Sequence, residues 1–167
     1  MIIIIANIIS LVDDIAFVIG TKVKTVKKCM LIQASGTPFS AFSNILLGSY
    51  SGALMNLLAG VRNVLKAYNI TYDWIFYGIA IVQILIGTII NKIGIVGLLP
   101  VIASSSLTLA ILKIKNKKSL DKILFINISL WFIHDLIILN FASVIIRILS
   151  LGALITNYTK KRVLVKK

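Results

Sequence analysis

The chain has 167 residues, of which 59% are hydrophobic and only 14% are charged, and its mean hydropathy is +1.01. A soluble domain of this length has too little interior to bury so much apolar surface. The composition therefore excludes a soluble globular protein and predicts an integral membrane protein whose main partner is the lipid bilayer.

The formal charge of +13 suggests a nucleic-acid partner at first sight. The lysines and arginines, however, lie between the apolar runs and not on one face of a soluble fold. This alternation is typical of the positive-inside rule, and it predicts basic loops that attract anionic lipid headgroups. We therefore expect no nucleic-acid partner. The lone Cys29 excludes an internal disulfide.

Long apolar runs predict an all-α, polytopic transmembrane bundle of about seven spans, since about 20 residues cross the ~30 Å hydrocarbon core. The first run follows Met1 directly, with no basic segment and no cleavage site, so we expect a retained span and not a signal peptide. Six spans remain an alternative, because spans 2 and 3 are polar and short. The predicted spans are residues 2–20, 29–47, 52–66, 74–90, 93–112, 123–139 and 143–158.

The charges between the spans predict the orientation of the chain. Basic loops at residues 21–28 and 113–122, a basic tail at 159–167 and the end of span 3 hold sixteen of the eighteen lysines and arginines. Lys92 and Arg147 are the exceptions. The rule then places the N-terminus outside and the C-terminus in the cytoplasm. An aromatic belt is expected at the inner interface, formed by Tyr68, Tyr72, Trp74 and Tyr158.

The two ends of the chain show a similar pattern, which predicts an internal repeat. In each, a basic loop precedes an apolar span, a short turn and another span. An offset near ninety residues places Asn44 opposite His134 and Gly52 opposite Ala142. We expect parallel three-helix repeats at residues 1–66 and 93–158, joined by a linker helix at 74–90, which is a 3+1+3 arrangement.

Ionisable side chains inside a span are costly, at about 2.5–3.5 kcal/mol each, and normally face a partner or water. Asp13 and Asp14 lie six or seven residues before the inner end of span 1, and Arg62 lies at a similar depth, so Arg62 is expected to pair with one of them. Asp135 and Arg147 are each six residues from the outer turn and are expected to form a second pair. Both pairs serve either as structural ion pairs or as functional groups of a polar path.

Uncharged polar residues and prolines extend this path. Asn56, in the middle of span 3, either binds a neighbouring helix or contacts a solute. Pro38 and Pro100 lie at comparable places in spans 2 and 5 and are candidate hinges, with residues 104–106, three serines, able to satisfy the backbone carbonyl that Pro100 frees. The predicted substrate path comprises Asn44, Asn56, Ser105 and His134.

The sequence contains none of the residue groups that would predict an enzyme. With one His, one Cys, no Glu and five Asp, no set of metal ligands has a suitable spacing, and no cofactor is expected. His134 and Asp135 are neighbours whose side chains diverge by about 100° on a helix, so no Ser–His–Asp arrangement is predicted. A glycine-rich phosphate loop is also lacking.

Six short segments occur in a specific order and spacing, at residues 15–20, 47–50, 52–56, 61–63, 98–102 and 131–134. Taken together, they resemble the YgjV-type family of small bacterial inner membrane proteins over most of the chain. The resemblance implies an inner-membrane protein, and it extends distantly to the SWEET and PQ-loop transporters with their 3+1+3 bundles. In those transporters an asparagine on the third span of each bundle lines the solute site, which implies this role for Asn56, while the second half has Ile146 or Arg147 there.

These features favour a small-solute transporter or facilitator that works by rocking of two bundles about a central polar path. The alternatives are a structural or regulatory membrane protein, whose polar groups only hold helices together, and a receptor or assembly subunit. The sequence leaves the substrate, the coupling ion and the oligomeric state, including a homo-oligomer, open.

Overall fold

The computed structural model describes residues 1–114 and 116–165, and the described part of the chain is all-α, as predicted. It contains seven helices and no β-strand. Lys115 in the predicted basic loop and Lys166 and Lys167 in the predicted tail lie outside the described residues. The side chains of Ala153 and of residues 157–165 also lie outside them, and with these the predicted belt residue Tyr158. The helices are α1 (Ile2–Lys22), α2 (Val26–Leu46), α3 (Tyr50–Ala67), α4 (Asp73–Ile89), α5 (Ile95–Ile111), α6 (Lys117–Ile137) and α7 (Phe141–Val165).

The helices extend further into the basic segments than the hydropathy pattern predicted. The side chains of Thr25 and Asn116 cap α2 and α6 by accepting hydrogen bonds from the backbone N–H groups of Lys28 (3.3 Å) and Ser119 (2.9 Å). Such caps satisfy backbone donors that a helix start leaves free, so the helix begins there and not at the first apolar residue. Helix α7 likewise continues to Val165, through most of the predicted tail.

Two turns at the same end of the helices have the same geometry. Gly48 and Leu139 both adopt left-handed backbone angles, with φ of 76° and 63°. In each turn the next backbone N–H bonds back to a carbonyl five residues earlier, Ser49 to Asn44 at 2.8 Å and Asn140 to Asp135 at 2.9 Å. This is the hydrogen-bonding pattern of a Schellman turn, and the two turns are 91 residues apart. The same pattern also ends α3, where Asn69 has a φ of 59° and the N–H of Ile70 bonds to the carbonyl of Leu65 at 2.9 Å.

Neighbouring helices pack in a regular order. Helix α2 packs against α1 and α3, and α6 packs against α5 and α7. Helix α1 also packs against α7, and α3 against α5, so that six helices form a closed sequence of contacts. Helix α4 packs against α3 and α5. The segments that join the helices lie at two ends of the bundle. We call the end with the turns at Gly48 and Leu139 the turn end, and the end with Lys24 and Lys113 the basic end.

The surface and the interior are inverted relative to a soluble protein. Among the described residues, buried polar side chains outnumber buried apolar ones, while isoleucines, leucines and aromatic side chains cover the outside. Two helices, Ile2–Lys22 and Gly94–Ile111, are long and apolar enough to cross a membrane, and Asp73–Ile89 is apolar but shorter. Outward apolar and inward polar side chains suit a bundle surrounded by lipid.

Candidate functional site

A small polar cavity lies where the six helices of the closed sequence meet. Its volume is about 50 Å³, and α1, α2, α3, α5, α6 and α7 all contribute to its wall. A volume of this size holds a few water molecules, since one water needs at least about 10–15 Å³. We call it the central cavity; its polar lining comprises Asp13, Gln33, Thr37, Asn56, Arg62, Asn63, Ser104, Asn127 and Arg147.

The pair expected between Asp135 and Arg147 is formed in the structure. Arg147 Nε donates to Asp135 Oδ2, and the guanidinium lies over the ring of Trp131, 5.3 Å from its centroid. Asp135 lies four residues before the turn residue Leu139 and Arg147 eight residues after it, so the backbones are not level as expected. The long Arg147 side chain leans toward the N-terminus of α7, as helical side chains do, and so reaches the carboxylate. Arg147 also interacts electrostatically with Asp13 and Asp14, which links the charges of α1 to those of α7.

The pair expected between Arg62 and an aspartate of α1 is not formed. Arg62 instead donates to the side chain of Asn63 (3.0 and 3.1 Å), to the carbonyl of Ser104 (3.3 Å) and to Thr108 (3.2 Å). The depth expected for Arg62 is right, since it shares the central cavity with Asp13. Its guanidinium, however, faces α5, while α7 supplies the cation near the aspartates.

The two aspartates of α1 have separate partners. Asp14 accepts a hydrogen bond from Ser143 of α7 at 2.9 Å, and Asp13 faces Ser40 of α2. A Cβ added to Gly36 would lie 2.7 Å from the Cα of Asp13, which shows how closely α1 and α2 approach here. Asp13 and Asp14 therefore lie on two different faces of α1.

The four residues of the predicted substrate path lie at different places. Asn56 lines the central cavity and donates to Ser40 Oγ at 3.1 Å. Asn44 lies one helix turn from the turn end and donates to the carbonyl of Ser40, with its Oδ1 atom unpaired. Ser105 is buried and donates to the carbonyl of Val101 in its own helix. The neighbouring Ser104 faces the cavity instead.

His134 belongs to a hydrogen-bonded chain that the sequence analysis excluded. Its Nε2 atom lies 2.8 Å from Ser49 Oγ, and its Nδ1 atom lies 3.0 Å from Asp135 Oδ1. The Cβ atoms of His134 and Asp135 diverge on α6, yet the ring and the carboxylate meet beside the helix. Ser49 is brought in by the turn before α3, so that a Ser–His–Asp chain continues to Arg147. All of Ser49, His134 and Asp135 are at most 1% exposed.

The two prolines occupy the interiors of α2 and α5, as expected for candidate hinges. The hydroxyl of Thr37 donates to the carbonyl of Ala34, the acceptor that Pro38 leaves without its helical donor (3.0 Å). The expected role of the three serines is not observed. Ser105 and Ser106 donate to Val101 and Ile102, one turn past the carbonyl that Pro100 frees.

The predicted substrate path omitted most of the wall of the central cavity, including Gln33, Asn63, Asn127 and Trp131. Gln33 and Asn127 had a usable signal, since an amide inside an apolar span needs a polar partner. Trp131 had none, because a tryptophan in an apolar run also suits a lipid-facing position.

A second opening lies at the turn end. It is an apolar crevice of about 390 Å³ between the ends of α1, α2 and α6 and the start of α5. Its wall comprises Ile3, Leu46, Leu47, Ile93, Val96, Ile137, Ile138 and Leu139. Within the part of the chain that the structure describes, no group of three or more His, Cys, Asp or Glu side chains could hold a metal ion.

Lipid-compatible outer faces and a polar interior define the class, a helical membrane protein with inward-facing charges. The chain belongs to the Imp-YgjV family, described as a bacterial inner membrane protein, whose family model matches residues 4–163. This confirms the resemblance drawn from the short segments. Comparisons with curated proteins and with solved structures give no match.

Proposed function

We propose that the chain is a non-enzymatic transporter or facilitator of a small solute, with a central polar path between two three-helix bundles. The observation that carries the proposal is the central cavity, whose wall is built by α1–α3 and α5–α7 and which carries charges from both groups. Intramembrane charges around a cavity are typical of substrate and ion pathways.

The 3+1+3 arrangement rests on two features of the fold. The turns at Gly48 and Leu139 are alike and 91 residues apart. A two-fold axis along the membrane normal would place α1, α2 and α3 on α5, α6 and α7. The same rotation would turn the contact between α1 and α7 into a contact between α5 and α3, and both contacts are present. Parallel repeats of this kind are found among transporters, with the solute site at the repeat interface. Helix α4 would be the linker, and residues 1–66 and 93–158 the repeats.

Transport by rocking requires the bundles to separate along the α1–α7 and α3–α5 contacts. Both contacts are polar: Ser10 bonds to Asn140 at 3.0 Å, and Ser51 bonds to the carbonyl of Gly97 at 3.0 Å. Water can replace such hydrogen bonds at small cost when the bundles part. The crevice at the turn end would then be one mouth of the path, with Pro38 and Pro100 as hinges.

The orientation proposed from the charges places the basic end in the cytoplasm. Tyr68, Tyr72 and Trp74 are exposed at this end, where an aromatic belt would lie. The lysines around them would bind anionic headgroups, each contributing about 1 kcal/mol near the surface. The N-terminus would then be outside and the C-terminus inside.

A flux assay tests transport directly. The full chain is reconstituted into liposomes, and uptake of radiolabelled sugars, amino acids and monocarboxylates is measured with and without a pH gradient. We expect uptake of at least one solute that falls strongly in Asn56→Leu and stays unchanged in Ser35→Ala, a control on the exposed face of α2. Uptake equal to that of empty liposomes for every solute would contradict the proposal.

A non-transporting structural or regulatory role is the second candidate, and the size of the cavity favours it. Solute sites usually have about 300–1,000 Å³, against about 50 Å³ here. In a Cys29→Ser background, Asn56→Cys and Ser104→Cys are treated with a membrane-impermeant thiol reagent, with lipid-facing Ile81→Cys as control. Modification of the first two alone supports a path that opens; modification of none favours a closed, packed bundle.

A further inference from the structure

We infer that the central cavity is a binding site for a small monovalent anion, held by the guanidinium of Arg62 and the side-chain amide of Gln33. The inference rests on the proposed function for its role in transport and deepens it by assigning the charge of the ligand. Binding itself can be measured without transport.

Arg62 is a buried cation without a counter-charge. It is 3% exposed, and among the described residues no carboxylate oxygen lies within 4.0 Å of its nitrogens. Its partners, Asn63, Ser104 and Thr108, are neutral acceptors, and they use four of its five N–H groups. One N–H of the guanidinium is left without a partner, and the positive charge is left uncompensated in a site surrounded by lipid, where an unpaired charge is costly.

Gln33, on α2, gives a second, independent indication. Its side chain is 4% exposed and lines the central cavity from α2, and its Nε2 atom has no hydrogen-bond partner. A buried amide N–H without an acceptor costs about as much as a lost hydrogen bond, so native proteins rarely leave one. Arg62 and Gln33 each have an N–H group without an acceptor; an anion accepts hydrogen bonds from both and also neutralises the guanidinium, which a water molecule does not.

The other charges around the cavity limit the charge of the ligand. Arg147 is bonded to Asp135 and interacts with Asp13 and Asp14, so it has carboxylates on several sides. Asp13 is the one carboxylate in the wall of the cavity, and it would repel an anion there. Because Arg147 is paired with Asp135, Arg62 is, among the described residues, the guanidinium of the wall that has no bonded carboxylate, and one negative charge is enough to neutralise it.

The volume limits the size of the ligand. A cavity of about 50 Å³ admits a halide ion or the carboxylate group of a very small acid, and it excludes a sugar acid in this conformation. Halide and carboxylate share the chemistry that the site requires, a single negative charge that accepts N–H hydrogen bonds. Chloride, nitrate, formate and acetate are therefore the probes, with gluconate as the oversized control.

The experiment uses the full chain, purified in detergent, with Trp74→Phe as background. Trp74 is exposed on α4, so its replacement leaves Trp131 in the cavity wall as the reporter. Sodium salts of the four probes replace sodium gluconate at constant ionic strength, while tryptophan fluorescence and the midpoint of thermal unfolding are recorded. We expect a saturable change with at least one probe, and the probe that gives it distinguishes halide from carboxylate.

The variants separate ligand binding from general stability. Arg62→Gln and Gln33→Leu should weaken binding about tenfold or more, as expected when a charge-assisted or buried hydrogen bond is lost. Asp13→Asn should strengthen it, because a repelling charge is removed. Lys92→Gln, at the turn end and outside the cavity, should leave it unchanged. If Arg62→Gln does not fold, Gln33→Leu and Asp13→Asn decide the question.

The inference is overturned if no probe gives a saturable change, or if affinity is unaltered in Gln33→Leu, or if Asp13→Asn weakens binding. Failure of this inference and failure of the proposed function are distinguishable. Anion binding without flux in liposomes would refute transport and leave the site intact. Flux without anion binding would refute the site and leave transport intact.

Discussion

Replacing Asp135 by asparagine isolates the energetic role of the ion pair between α6 and α7. Asn keeps the shape of the side chain and removes the negative charge that faces Arg147. Removing one partner of a buried pair typically costs about 3–5 kcal/mol, because the other charge stays buried. Asp13 and Asp14 still act on Arg147, so we expect about 3 kcal/mol, the lower end of that range.

The assay is the free energy of unfolding in mixed lipid–detergent micelles, obtained by titration with a denaturing detergent. Asp121→Asn is the matched control, since it removes a partly exposed ion pair with Lys117 on the same helix. Pairs of this kind, four residues apart on a helix, contribute about 0.3–0.5 kcal/mol. Both variants replace a carboxylate by an amide on α6. Asp135 is buried, also contacts His134 and pairs with α7, whereas Asp121 is partly exposed and pairs within α6.

A double-mutant cycle completes the test. Combined with Arg147→Gln, Asp135→Asn should cost much less than the sum of the two single changes, because neither charge is then left alone. If Asp135→Asn costs no more than Asp121→Asn, or if the two changes are additive, the ion pair does not stabilise the contact between α6 and α7 and the reasoning is refuted.

Two glycines give further predictions for the same unfolding assay. Gly36→Ala places a Cβ 2.7 Å from the backbone of Asp13 and should lower the free energy of unfolding by about 1–3 kcal/mol. The control Gly78→Ala meets no atom within 4 Å and should be close to neutral. Equal costs for the two variants would contradict the close approach of α1 and α2. Gly48→Ala meets no atom within 4 Å, but the φ of 76° at this position is unfavourable for alanine, so we expect a cost of about 1–2 kcal/mol. The control Gly152→Ala should cost less, and equal costs for these two variants would contradict a conformational role for Gly48.

The local pattern of the chain determined much of what the structure shows. Apolar runs near 18 residues predicted the seven helices and their approximate bounds, because helix length in lipid follows from the thickness of the bilayer. The turn at Gly48 was readable from small residues between two apolar runs. The pairing of Asp135 with Arg147 was predicted from their places on either side of one short turn, although the turn at Leu139 is not midway between them. Each of these depends on residues close together in the sequence.

The lateral arrangement of the helices was decided by the tertiary structure. Hydropathy does not say which helix lies beside which, since lipid is as apolar as leucine and no hydrophobic force selects the neighbours. Arg62 was therefore assigned to α1, although α3 packs against α5 and gives it Ser104 and Thr108. For the same reason the contact of Ser49 with His134, 85 residues apart, had no signal in the sequence. Polar contacts between distant helices specify this bundle, and only the packed chain brings them together.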